Sequence, residues 1–206
     1  MEITIQPVTN LEDEAAMLSI RQRVFNWEMG VVLPSLTRFG ELGATHLLAR
    51  AGPEGNPVAA LSVVDTSADR ELHQRYGLEF ALGSRVARYT QLAVISPYRG
   101  LNIPIRLILE AHRRFVVPKG FDYTWLLFAA DRAYSSALCA RLAFAPSRRT
   151  FITEYGLTRV LVRDERSDLC AETVRRTAEQ MAQSEQSISL VRPAPPLAGS
   201  QAGRNR

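Results

Sequence analysis

The stretch from residue 86 to residue 120 constrains the fold more than any other part of the chain. Residues 86–95, Val-Ala-Arg-Tyr-Thr-Gln-Leu-Ala-Val-Ile, read as a largely apolar strand, and Ser96-Pro97-Tyr98-Arg99-Gly100 breaks it. Past the break, Ile105, Leu107/Ile108, Leu109, His112 and Phe115/Val116 recur at helical spacing until Lys119-Gly120 stops the helix. Strand, tight turn and helix form the first half of a crossover. Residues 123–129 follow as a continuous apolar strand suited to the centre of a sheet.

The flanking sequence adds elements on both sides. Residues 3–8 alternate like a strand, and Asn10 opens an amphipathic helix (Leu11, Ala15, Leu18, Arg21/Gln22, Phe25) that runs to about residue 26. Residues 45–51 and 57–64 make a hairpin around Gly52-Pro53-Glu54-Gly55-Asn56. Residues 65–83 are polar and irregular, with a short helix at 68–76, and read as a surface excursion or a lid. Downstream come a helix at 132–142, a strand or hairpin at 150–162 turning at Gly156, and a last helix at 167–182 capped by Ser167 or Asp168. The expectation is one α+β domain over 1–183. Its architecture is a three-layer α/β/α sandwich around a mixed, mostly antiparallel sheet. Residues 184–206, rich in Ser, Gln, Pro, Ala and Gly, are expected to be a disordered tail.

Composition narrows the function classes. With 206 residues, 46% of them hydrophobic, the chain can bury a substantial core, so disorder is excluded as its main state. No apolar run approaches the roughly 18 residues that span a bilayer, and the first residues lack the basic and apolar regions of a secretory signal, so a cytoplasmic location is expected. Cys139 and Cys170 are too few for a disulfide framework and share no metal-ligand spacing with His46, His73 or His112; no metal is expected. Lys119 is the only lysine among 25 basic residues. The arginines are scattered or paired and form no stripe with interleaved aromatics, which argues against nucleic acid. Guanidinium forks do suit phosphate and carboxylate ligands.

The turn after residue 95 is where such a ligand would bind. A helix start leaves backbone N–H groups free and carries about half a positive charge, so a turn climbing from strand to helix can hold a pyrophosphate. Arg99 and the amides of Gly100, Leu101, Asn102 and Ile103 are the candidate cradle.

The run Gln91-Leu-Ala-Val-Ile-Ser-Pro-Tyr-Arg-Gly100, with the helix after it, resembles the acyl-thioester binding segment of the GNAT superfamily of N-acyltransferases. Residues 130–144 resemble that superfamily's next helix. Residues 20–30 and 41–50 resemble the branch of acyl-homoserine lactone synthases and N-acyl amino acid synthases. The resemblance covers about residues 3–163. It implies transfer of an acyl group from acyl-coenzyme A, or from the phosphopantetheine of acyl carrier protein, to a small-molecule amine. It implies no metal, nucleic acid or membrane span, and it admits a homodimer.

The resemblance also implies roles. A bulge in the strand before the turn would splay it from its neighbour, so that Leu92, Ala93 and Val94 pair with pantetheine and point an N–H at the oxyanion; a donor of that kind is worth on the order of 3 kcal/mol. Arg23, Phe25 and Trp27 match the branch motif that lines the acyl and acceptor pocket, although the two aromatics suit a core equally well. The usual general-acid tyrosine position, five residues before Phe144, is Cys139, and Tyr134 lies five residues earlier. The usual base position, four residues before the Leu-Ala-Val, is Arg88, which leaves Glu28 as a base or as an anchor for the acceptor's ammonium. An α-amino group with a pKa near 8 is about one-tenth neutral at pH 7, at a cost of about 1.4 kcal/mol, so such an acceptor needs little help from a base.

The turn departs from the superfamily pattern at Asn102 and Pro104. A side chain of Asn102 bonded to the helix start would compete with phosphate, and Pro104 has no N–H. Two rival readings follow. One is an acyl-homoserine-lactone-type signal synthase using an S-adenosylmethionine-like acceptor, for which only Glu41 resembles the branch's acidic pairs. The other is a catalytically inactive acyl-thioester binding module. His46 and His112 read as structural histidines on apolar faces, and Asp65 as an acceptor contact at a strand end.

Overall fold

A seven-stranded sheet forms around the central crossover in a computed structural model that describes residues 1–31, 43–129 and 134–191, with side chains over 1–31, 43–129 and 138–184. The chain runs β1 (Ile3–Pro7), α1 (Leu11–Arg21), β2 (Thr45–Ala51), β3 (Asn56–Asp65), α2 (Arg70–Arg75), β4 (Val86–Val94), α3 (Ile103–Ala111), α4 (Val117–Lys119), β5 (Tyr123–Ala129), α5 (Tyr134–Leu142), β6 (Ala145–Thr153), β7 (Gly156–Asp164) and α6 (Asp168–Val191). The strand order is β1-β2-β3-β4-β5-β7-β6. Every pairing is antiparallel except β4 with β5, the two strands joined by the crossover.

Local chemistry sets the element ends. Asn10 caps α1 by accepting the Asp13 N–H at 2.8 Å, and three acidic residues in the first turn oppose the helix dipole. Asp13 itself is buried and pairs with Arg50 at 2.6 Å, tying α1 to β2. Past Arg21 the helix widens through Gln22–Glu28, with the Met29 N–H reaching back five residues to the Val24 carbonyl at 3.0 Å.

The two faces of the sheet carry different partners. On β4, Arg88 lies against Tyr76 at the end of α2 and against Trp125 of β5, whereas its neighbour Tyr89 meets Arg163 and Phe144. Successive residues of a strand face opposite sides, so α2 covers one face. α1 covers the same face, because Arg21 bonds Ser62, the partner of Thr90 on β4. Thr124 joins Glu165, and through it His112 at the end of α3, on the other face. The core fills both layers around Leu47, Leu61, Leu107, Ile108 and Trp125, none of which reaches solvent.

Two boundaries and one side-chain environment differ from expectation. The last helix continues to Val191, past residue 182, so the segment read as a tail begins as helix; residues 192–206 lie outside the described residues. β6 begins at Ala145 instead of 150, because its first part pairs with β7 across a register shift between Pro146 and Thr150. His112 sits against a carboxylate and not on a purely apolar face, its Nε2 lying 3.1 Å from Glu165.

Candidate active site

β4 and β5 pair only over Val86–Tyr89 and Tyr123–Leu126, after which they part. The cause is on β4. Thr90 pairs with Ser62 and Ala93 with Ala60, so two residues of β4 stand opposite one of β3, and Gln91 takes up the excess with φ +51°. This is a β-bulge, which bends the strand and strengthens its twist. Beyond it, the Ile95 N–H bonds Val58 of β3, so Ile95 and Ala93 face β3 while Leu92 and Val94 turn their backbone groups to the open side. Of the three residues expected to meet a donor through their backbone, Leu92 and Val94 face the fork and Ala93 does not.

The strand runs straight into the candidate anion-binding turn. Residues 96–98 make one tight helical turn, Gly100 has φ +88°, and α3 starts at Ile103. The positive φ favours glycine at 100. Asn102 stands at the N-cap with φ +59°, yet its side chain does not cap the helix; it accepts Arg141 Nη1 at 2.8 Å. The expected competition between this side chain and a phosphate is therefore absent. Pro104, in the first turn of α3, still removes one donor.

Arg99 is already engaged. Its Nε donates to the Val94 carbonyl at 3.0 Å, and its Nη2 pairs with Glu28. Glu28 also lies 3.4 Å from Arg23 Nε and accepts the Ser96 N–H at 3.5 Å. Glu28 and Arg23 from the end of the first helix thus meet the turn at residues 96–99, and Glu28 acts as an anchor for two arginines. Phe25 is core, packed on Tyr155 with ring centroids 5.8 Å apart, while Trp27 is 74% exposed. Cys139 is half-buried on α5; burial pushes its thiol up, partly offset by the charge of Arg159. Tyr134 opens α5, but its side chain, like Glu41, lies outside the described residues.

Two residues that sequence reasoning passed over stand beside the fork. Arg21 is completely buried, and Tyr155 sits in the β6–β7 turn at the C-terminal end of β5, where burial pushes its phenol up to about 12. The signal for Arg21 was available: it falls four residues after Met17 and beside Ile20 on the buried stripe of α1. A groove of about 630 Å³ lined by Ser67, His73, Phe80 and Arg85 reaches Val86, at the opposite end of β4 from the turn.

Arg21 donates to Ser62, whose Oγ lies 2.6 Å from His46 Nδ1. Burial, then the charge of Arg21, hold the His46 pKa down to about 4. The unfolded chain therefore takes up this proton near pH 6.5 and the folded one only near 4, so stability falls as pH drops across that window. The ring is half-buried, and screening reduces the full-shift value to about 1–2 kcal/mol. Urea unfolding at pH 7 and pH 4.5 is expected to show wild type losing about that much more than His46→Gln; equal losses would remove His46 as the cause.

No protein-family model matches the sequence, and no curated protein does. Solved structures do match. The coenzyme A-dependent acyl-homoserine lactone synthase BjaI aligns with a TM-score of 0.65 and 13% identity over 88% of this chain and 90% of its own. NAA60 of Arabidopsis thaliana, in complex with acetyl-CoA, gives 0.63 and 15% over 81% and 100%. The N-acyl amino acid synthase FeeM from uncultured soil microbes gives 0.60 and 10% over 79% and 91%. With its mixed seven-stranded sheet, forked between β4 and β5 and flanked by helices, this chain has the GNAT fold of those N-acyltransferases.

Proposed function

We propose that the protein is an N-acyltransferase that moves an acyl group from an acyl thioester to the amine of an amino acid or a similar small metabolite. The observation that carries this reading is the fork: Leu92 and Val94 present backbone that no neighbouring strand pairs, on an open edge that leads within a few residues to the N-terminus of α3. An extended pantetheine arm can add to such an edge as a short strand, with its phosphates against the Arg99–Gly100 turn and helix start. The thioester carbonyl would then lie by the bulge, where a backbone N–H stabilises the oxyanion formed when the amine attacks. Cys139 and Tyr134 are the candidate acids for the departing thiolate.

Binding asks one rearrangement of the site. The Val94 carbonyl now accepts Arg99, so a donor that pairs with this edge displaces the guanidinium toward the phosphates. That same engagement, with Glu28 held by two arginines, favours a second reading in which the chain binds thioesters without turning them over. Donors on coenzyme A and on acyl carrier protein share the phosphopantetheine that the edge would bind, and the acceptor of a signal synthase remains in the test panel. Among the described residues no helix is long and apolar enough to cross a membrane.

A panel of acyl-coenzyme A and acyl carrier protein donors against amino acids, amines and S-adenosylmethionine, with released thiol titrated, tests the proposal. Thiol release that needs both partners supports it. Thermal stabilisation by thioesters without thiol release supports the binding module, and neither effect with any donor overturns both readings.

A further inference from the structure

Some arginines with buried or half-buried charge among the described residues have a carboxylate: Arg163 has Glu165 and Arg50 has Asp13. Two beside the fork do not. Arg21 is 0% exposed; its Nη2 donates to a neutral hydroxyl, and its Nε and Nη1 are buried without a partner. Arg88 stacks 4.7 Å from the centroid of Trp125, has its Nε buried without a partner, and forms no hydrogen bond or salt bridge among the described residues; the carboxylates of Glu154 and Asp69 act on it only through space. A buried guanidinium without a bonded counter-charge is destabilising, and an anion with two oxygens relieves it best.

The two cations share one neighbourhood. Arg88 and Thr90 point to the same face of β4, Thr90 pairs with Ser62, and Ser62 holds Arg21. The Tyr155 phenol feels the charge of both guanidinium groups and packs against Phe25, one turn beyond Arg21. His46, the other titratable group at Ser62, is held neutral and offers no counter-charge. This neighbourhood adjoins the bulge at Gln91, where the thioester carbonyl is placed in the proposed function.

We infer that the acyl acceptor carries a carboxylate, bound by Arg88 and Arg21 beside Tyr155, so that the site selects amino acids over amines that lack an acid. The inference rests on the acyl-transfer reading for the identity of the ligand, although the anion site itself does not. Charge-assisted pairing sets the orientation: the carboxylate is drawn to the α1 face of β4, which leaves the amine to reach the bulge. As the N–C bond forms and the C–S bond breaks, the proton lost by the amine ends on the departing thiolate to give free thiol, while the carboxylate takes no part in the bond changes.

The test uses L-phenylalanine, L-phenylalaninamide, phenethylamine and the amine-free 3-phenylpropanoate with the full chain, read by calorimetric binding and, with a thioester donor, by thiol release. The two acids are expected to bind about 10–100-fold more tightly than the two neutral-ended amines, the range for a charge-assisted pair. Arg88→Gln is expected to erase that difference while leaving donor binding unchanged. Arg21→Gln tests the second cation, and Arg88 keeps the question decidable should that variant fail to fold. Equal affinities for acid and amide, or a preference that survives Arg88→Gln, overturn the inference. Acid-selective binding without thiol release upholds the anion site and removes the transfer reading; release from acid and amide alike does the reverse.

Discussion

Deleting Gln91 is expected to weaken donor binding roughly 100-fold while the sheet stays folded. The residue is the surplus member of the β4 bulge, and without it Thr90 and Ala93 would sit in regular register with Ser62 and Ala60. A regular β4 has no reason to leave β5, whose residues Leu127–Ala129 continue alongside as the strand's outer half. Closing the fork removes two main-chain hydrogen-bonding units from the pantetheine path. At about 1–1.5 kcal/mol each, that amounts to roughly a 100-fold loss of affinity for a coenzyme A ester. Gln91→Gly is the companion variant. Glycine takes φ +51° without strain, so it keeps the bulge and is expected to bind as wild type does. Calorimetry with acetyl- and longer acyl-coenzyme A, with circular dichroism as the check on folding, decides the matter. Wild-type affinity in a folded deletion variant would detach the fork from donor binding altogether.

The bulge also shows what the sequence could and could not say. Strand 86–94, its turn and the helix after it were legible because apolar period and turn chemistry change together there, from alternating residues to Pro-Tyr-Arg-Gly and then to helical spacing. The bulge was expected only through the family resemblance, because a one-residue excess in a pairing between strands about 30 residues apart leaves no local mark on Gln91. The fate of Asn102 was hidden for a similar reason. Its residue type suits a cap, and only the arrival of Arg141 from α5 turns the side chain away. Arg23 and Glu28 were read as separate pocket residues, but their meeting with Arg99 crosses some 70 residues of chain. Of the two roles read for Trp27, the structure removes the core one: at the end of the widened turns after Arg21 it is 74% exposed.

Replacing Arg163 with methionine is expected to cost about 3–5 kcal/mol of stability, the range for breaking a buried pair by removing one partner. Arg163 is fully buried on β7 and binds in three directions: Glu165 at 2.7 Å, the Tyr89 hydroxyl at 3.1 Å and the Leu142 carbonyl at 3.3 Å. Its guanidinium also lies 4.8 Å from the centroid of Phe144. One side chain thus joins β4, β7 and the end of α5 beneath the fork. Burial works against the charge of Arg163, but Tyr89 and Glu165 hold its pKa up. Burial likewise opposes the charge of Glu165, yet its bonds from His112, Arg163 and Thr124 keep its pKa down. A depressed carboxylate contributes stability that is complete above its unfolded pKa and lost as pH falls through its folded one. Methionine removes the cation and leaves Glu165 in the apolar layer with His112, Thr124 and the Cys170 thiol, so the variant's carboxylate should take up a proton at higher pH. The double variant Arg163→Met/Glu165→Gln supplies the contrast, since removing both charges leaves no bare ion, and it is expected to recover part of the loss. Urea unfolding of all three proteins at pH 7 and pH 5 measures this, and a single variant within 1 kcal/mol of wild type would show that the network beneath the fork is held by packing and not by charge.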